Sequence, residues 1–334
     1  MSSSWNILSK YRDELYGFSI IWIILFHGII LKNLSLSSNL DFLTKCIRGG
    51  NCGVEIFLLL SGIGLYYSFE KNNSILNFYI KRIKRILFSF IVVIGSYYFF
   101  FDIIKDKNVS KFLLDITLLS FWINGDKFVW FVALIVILYL IYPLIYKYVL
   151  NRRYTLIYII SLILGNYTLL FILRLYDIKT FHNIEIALTR IPVFLIGCYL
   201  GNLVLKQYRI STILKGLFVL IFFGGLVYFD NNTSKLVKYF RLPFLFIGPS
   251  IAIVICVFLE FINSNFINRF LAHVGKMSFE LYLTHVALRL VCLKYNLFVY
   301  GNSTNYCIYI LFVGLGSYII SNSIILIRDK LCNV

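Results

Sequence analysis

Apolar runs of about 20 residues, each closed by a short polar segment, recur along the whole chain. They lie near 15–33, 53–69, 86–103, 128–149, 154–173, 187–205, 211–229, 243–262, 277–295 and 305–327. A helix of about 20 apolar residues crosses the ~30 Å hydrocarbon core of a bilayer. The pattern therefore predicts an all-α fold, a polytopic membrane helix bundle of about ten transmembrane helices. The stretch 112–122 is apolar but short, and Asp115 interrupts it, so it reads as an interfacial or re-entrant piece. No linker, low-complexity segment, internal repeat or soluble appendage is legible, and residues 1–334 read as a single integral-membrane domain. The first apolar run lacks a small-residue cleavage site and contains a His, so it is expected to be a retained span and not a cleaved signal.

Composition supports this reading. Apolar residues make up 60% of the 334 positions and charged residues 14%. A soluble domain carries about 45–50% apolar and about 25% charged residues. The excess apolar surface needs lipid to cover it, so membrane lipid is an expected partner. The 32 Phe and 25 Tyr suit interfacial anchoring.

The net charge of +17 does not point to nucleic acid. Its Lys and Arg sit in short segments between apolar runs and form no continuous basic face, a pattern that fits topology and contact with anionic head groups. With the N-terminus placed in the cytoplasm, the Lys and Arg of the two sides nearly balance. The densest cluster, Lys81-Arg82-Ile83-Lys84-Arg85, abuts a span and favours cytoplasm there. Of the seven Cys, none forms a CxxC pair or a metal spacing with His, so no metal site is expected. Cys46 and Cys52 share a loop and are read as unbridged.

Ionisable residues within spans are costly, roughly 2.5–3.5 kcal/mol each at the centre, and they are the first functional candidates. His27 lies well inside the first run, and Glu55 lies at the outer end of the second. Arg190 opens the sixth, and Glu280, His285 and Arg289 lie along the ninth. A neutral imidazole takes a proton from a hydroxyl and returns it to a leaving group, and a carboxylate such as Glu55 orients it in triads. A structural His bonded to a neighbouring helix explains His27 equally well from sequence.

Arg82 and Arg85 are three apart on one helical face, which makes a clamp for phosphates or a topology anchor; anchors are commoner. Gly62 and Gly64 in SGIGLYYS allow close helix packing or close approach of a ligand. Glu280, His285 and Arg289 suit a buried polar network first and a pocket lining second.

The ordered set of fragments resembles the acyltransferase 3 family of bacterial integral-membrane acyltransferases. It begins with Leu25-Phe26-His27, then Gly53-Val54-Glu55-Ile56-Phe57 leading into Ser61-Gly62. Tyr79-Ile80-Lys81-Arg82-Ile83-Lys84-Arg85-Ile86-Leu87 follows, then Trp130 with Tyr139 and Pro143, and Arg190 with Pro192 and Gly197. Gly275 to His285 closes the set, which spans roughly 12–327. The chain departs from the family pattern in two places. Tyr16 stands where many members have Arg, with Arg12 one turn earlier, and Ile135 and Val136 stand where many have Glu. No fused extracytoplasmic hydrolase-like domain is seen.

The resemblance implies transfer of an acyl group, by family default acetyl, from cytoplasmic acyl-CoA to a hydroxyl of a cell-surface or exported polysaccharide. It makes His27 the catalytic residue, as base or acyl carrier, and Arg82 and Arg85 the contacts for acyl-CoA (acetyl-CoA). It also implies a bacterial cytoplasmic membrane, a cytoplasmic N-terminus, a glycan acceptor and polysaccharide-synthesis machinery as a partner. Arg174, Lys179, Lys235, Lys238 and Arg241 would suit an anionic glycan or be solvated loop charge. A multipass transporter or flippase for a glycan or lipid-linked sugar is the rival reading, although the inverted repeats common in transporters are not seen. A structural subunit of an export complex is the other.

Overall fold

The computed structural model describes residues 4–30, 41–230, 241–297 and 303–332. It is an all-α bundle. In chain order the principal helices are α1 (Arg12–Ile30), α2 (Gly53–Lys71), α3 (Ile75–Lys105), α4 (Val109–Ile116) and α5 (Leu119–Asn124). Next come α6 (Trp130–Leu150), α7 (Thr155–Tyr176), α8 (Ile178–Leu188), α9 (Ile191–Leu205) and α10 (Thr212–Asp230). The chain ends with α11 (Phe244–Ile262), α12 (Asn265–Lys276), α13 (Ser278–Lys294) and α14 (Tyr306–Arg328).

Among the described residues, seven helices are long and apolar enough to cross a membrane: Leu43–Lys71, α3, α6, α7, the continuous α8–α9 segment, α11 and α14. The other three expected spans coincide with α1, α10 and α13. The 112–122 stretch folds as two short helices, α4 and α5, joined at Leu118 in the left-handed region (φ 65°). This reversal gives a compact hairpin at one end of the bundle, in keeping with the interfacial reading.

Small residues set the closest crossings. A Cβ on Gly17 of α1 would collide with the Leu271 carbonyl of α12, and one on Gly275 would collide with the Asp13 carbonyl. Gly62 and Gly197 play the same part where α2 meets α9. Helices gain no hydrophobic drive toward each other in lipid, so close backbone approach is a main source of cohesion. Gly64 differs from Gly62: its neighbour is the Arg12 guanidinium, so one motif serves both packing and a cavity.

Polar bonds tie the last two helices to the bundle. Ser89 Oγ of α3 donates to Glu280 Oε1 at 2.9 Å, and Arg328 donates to the same oxygen at 2.6 Å. Thr284 Oγ1 lies 3.0 Å from Ser321 Oγ. Glu280 is therefore a member of a buried network, the first of the two roles read for it. Pro143 within α6 removes a backbone donor, and a π-type turn follows at Tyr146–Leu150. Cys46 and Cys52 are free thiols, as expected.

Candidate active site

The site begins with α1, a continuous helix with Arg12 in its first turn and His27 in its last. At 1.5 Å per residue, fifteen residues separate them by roughly 22 Å along the axis, most of a bilayer's hydrocarbon thickness. One helix thus carries a candidate group to each end of the bundle.

At the Arg12 end, a cavity of about 50 Å³ is lined by Arg12, Arg82, Arg85, Tyr16, Tyr139 and Ser61, with the aromatic rings noted below. Three guanidiniums converge there from α1 and α3, and among the described residues no carboxylate lines the cavity. Arg12 Nε and Arg82 Nε are buried without a hydrogen-bond partner. The Arg82 guanidinium lies 5.5 Å from the Tyr139 ring centre, and that of Arg12 lies 5.5 Å from Tyr16. Such an excess of positive charge is costly unless an anion enters. Arg12 joins the pocket that Tyr16 also lines, so an arginine one turn earlier stands beside the position where the family motif has its own. Ile135 also lines this cavity and adds no acid to it.

At the other end, His27 Nδ1 lies 3.0 Å from His285 Nε2, and the two rings are stacked. His285 Nδ1 lies 3.0 Å from the Leu281 carbonyl one turn back on α13. A carbonyl only accepts, so Nδ1 of His285 carries the hydrogen. Its Nε2 is then the acceptor in a neutral ring, and His27 donates to it from Nδ1. This assignment leaves the lone pair of a neutral His27 on Nε2. His27 lines a cavity of about 110 Å³ with Asn51, Trp130, Arg190, Tyr282 and Arg289. Arg289 thus lines the pocket, the role that ranked second for it in the sequence, whereas His285 is fully buried behind His27 and bonded to it.

Glu55 does not orient His27. Its Oε1 accepts from Arg241 at 2.6 Å and lies 3.3 Å from Arg190 Nε, and the carboxylate is 1% exposed. The reason is topological: Arg241, just before α11, and Arg190, at the start of α9, both converge on the first turn of α2. Arg190 also donates to the Ile186 carbonyl at 2.6 Å and sits 4.6 Å from the Trp130 ring centre. It therefore joins the ion-pair cluster to the His27 cavity. Arg241 is committed to Glu55 and is not solvated loop charge. Lys235 and Lys238 lie outside the described residues.

The two cavities meet at one side chain, since Tyr282 of α13 lines both. The ring of Phe131 stands edge-on to it at 5.2 Å, and Phe57 lies 6.0 Å from Phe131. Beyond the His27 cavity, and sharing Lys127, Phe128, Val286 and Arg289 with it, a wider cavity of about 380 Å³ is bordered by Asp102, Asp115, Asp126 and Lys111. Lys111 donates to Asp102 at 2.6 Å. Burial and the neighbouring Asp102 and Asp126 carboxylates push the Asp115 carboxyl up to about 6.

Sequence reasoning identified His27, Arg82, Arg85, Arg190 and Arg289 as site candidates. It noted Arg12 but did not place it in the site, and it missed the His27–His285 pairing, the Arg241–Glu55 bond and the dividing role of Tyr282. The signal for Arg12 was its offset of one turn from Tyr16. His285 lies 258 residues from His27, and nothing local links them.

These features define a class: a membrane bundle with a cationic cavity at one end, a poised imidazole at the other and an aromatic divider between. Residues 15–322 match the family of acyltransferase domains known as acyltransferase 3, and the chain belongs to that family. It is a multipass membrane acyltransferase. No curated protein and no solved structure matches the chain.

Proposed function

We propose that the protein transfers an acetyl group from cytoplasmic acetyl-CoA to a hydroxyl of a cell-surface or exported polysaccharide, and that it does so in a bacterial cytoplasmic membrane. One observation carries the reading: the cavity with three arginines and the cavity with His27 share Tyr282 as a wall. A donor held by its phosphates at the arginine end then has a route for its thioester to His27.

In this reading Arg12, Arg82 and Arg85 hold the CoA phosphates through planar, multi-donor forks. The N-terminus and the arginine end face the cytoplasm, in line with the Lys81–Arg85 cluster. The acceptor reaches His27 from the opposite side, through the wider cavity bordered by Arg289 and the aspartates.

The chemistry follows from the tautomer. His27 Nε2 takes the proton of the acceptor hydroxyl as its oxygen attacks the thioester carbonyl carbon. The new C–O bond forms, the C–S bond breaks, and the departing CoA sulfur takes that proton back from Nε2. The products are an O-acetyl ester and CoA thiol. Developing charge on His27 is stabilised through Nδ1–H by His285, whose second nitrogen is anchored on the Leu281 carbonyl. His285 is thus a positioning residue, in the role that an acid has in other triads.

The test is a comparison of membrane vesicles carrying wild type or His27→Ala, supplied with radiolabelled acetyl-CoA, together with NMR of the surface glycan from cells with and without the gene. Consumption of acetyl-CoA and glycan O-acetyl signals are expected only with wild type. Acetyl-CoA left untouched by the wild-type protein would favour the transporter reading.

A further inference from the structure

Tyr282 is the residue through which the two cavities communicate, and its surroundings give it a second role. Its ring is 5% exposed and Phe131 is 7% exposed, so the pair is a packed wall. Phe131 braces Tyr282 edge-on at 5.2 Å, and Tyr282 lies 5.7 Å from the His285 ring centre. Phe57 backs Phe131 and is held in turn against Tyr16, at 5.4 Å. Ring contacts therefore lead in sequence from Tyr16 beside the arginine cavity to the histidine pair, with Tyr282 bordering both cavities.

The spaces on either side are small. The His27 cavity offers about 110 Å³ and the arginine cavity about 50 Å³. A cavity of roughly 150 Å³ holds one benzene molecule. The space beside His27 therefore suits a short acyl group of two to four carbons, and on the side of the arginine cavity, from which the donor arrives, a longer chain finds room only if Tyr282 gives way.

We propose that Tyr282, braced by Phe131, sets the length of the acyl group that reaches His27; the proposal rests on the acyl-CoA reading above. The thioester end of the donor approaches His27 along the Tyr282 ring, which both cavities share. A two-carbon acyl group fits beside His27 with the wall in place, whereas a six-carbon group collides with the Tyr282 ring. A packed aromatic wall resists partial displacement because interiors are close-packed, so selection by size is steep.

The experiment supplies vesicles carrying the full-length protein and the producing cell's own envelope with an equimolar mixture of acetyl-, butyryl- and hexanoyl-CoA. Esters released by mild alkali are then counted by mass. Wild type is expected to transfer mainly acetyl. Tyr282→Ala is expected to raise the hexanoyl-to-acetyl ratio at least tenfold, and Tyr282→Phe, which keeps the ring, is expected to hold the wild-type ratio. Phe131→Leu serves as the second variant should Tyr282→Ala fail to fold, and it is expected to shift the ratio in the same direction.

An unchanged ratio in a folded variant that still transfers acetyl would overturn the proposal. So would a folded Tyr282→Ala that transfers no chain at all, because that ring would then be required for more than length. Failure of the wild-type protein to transfer any acyl chain would instead sink the acyltransfer reading on which the proposal stands.

Discussion

His27 and His285 lie on helices at opposite ends of the sequence, yet their Nδ1 and Nε2 atoms are 3.0 Å apart. Because the Leu281 carbonyl fixes the proton on the far side of His285, the pair has one consistent direction of donation. That direction leaves His27 Nε2 unprotonated, as the proposed general base requires.

Removing the base and removing its orienting partner should therefore differ in degree. His27→Ala is expected to lower kcat by about 10³-fold or more, in the range of general-base loss plus misplaced substrate. His285→Leu leaves the base present but free to adopt the wrong tautomer, with an expected loss of about 10²–10⁴-fold. His285→Gln supplies a carbonyl oxygen that accepts from His27 Nδ1 and should recover part of that activity. Steady-state rates of acetyl-CoA consumption, with KM measured alongside, check the series. Equal losses in the Leu and Gln variants would argue against an orienting hydrogen bond.

The arginine cavity predicts a defect of a different kind. Each of Arg12, Arg82 and Arg85, when replaced by Ala, removes a charge-assisted contact worth about 1.5–3 kcal/mol. The expected result is a rise of roughly 10- to 100-fold in KM for acetyl-CoA, with kcat less affected. Arg12 allows a sharper test because Tyr16 lines the same cavity one turn away. Arg12→Ala combined with Tyr16→Arg should lower KM again toward the wild-type value, by returning a guanidinium from the next turn of α1. A double variant no better than Arg12→Ala would show that the register of the arginine matters more than its charge.

The parts legible in the sequence and the parts that were not differ in the range of the interactions involved. Spans follow from local hydropathy, and the class of the fold follows from them. That Arg82 and Arg85 share one cavity was readable because both lie on one face of one helix. The His27–His285 pair, the Arg241–Glu55 bond and the shared wall of Tyr282 each depend on which helices become neighbours, and no single sequence states that. Glu55 shows the cost of judging by proximity along the chain. It was the carboxylate nearest to His27 in topology, but two arginines from later helices reach it instead.

That arrangement makes Glu55 a determinant of stability and not of turnover. Arg190 and Arg241 both face its carboxylate, and Arg190 is 4% exposed. Glu55→Ala would leave two guanidiniums against each other with no counter-charge, a change of the type that costs about 3–5 kcal/mol when one partner of a buried pair is removed. Thermal unfolding of the detergent-solubilised protein should show a marked drop in midpoint. Arg241→Met in the same background should restore part of it. Specific activity per folded molecule is expected to fall far less than in His27→Ala, and a catalytic role for Glu55 would reverse that order.

Asp115 provides a dependence on pH at the hairpin of α4 and α5. Its carboxyl is pushed from an ordinary 3.8 up to about 6, first by burial and then by Asp102 and Asp126, while Lys111 is committed to Asp102 and Asp106. A carboxyl whose folded pKa is raised is favoured in its protonated form, so the folded state binds more protons than the unfolded one between those two values. Stability from this group is complete below about 3.8 and is lost as pH rises through about 6. The thermal midpoint of the solubilised protein should therefore carry a component that declines between pH 4 and pH 7. Asp115→Asn should flatten that component by keeping a neutral side chain of the same shape throughout. Midpoints measured at half-unit steps for both proteins check this, and parallel curves would show that the aspartate ionises without strain beside its neighbours.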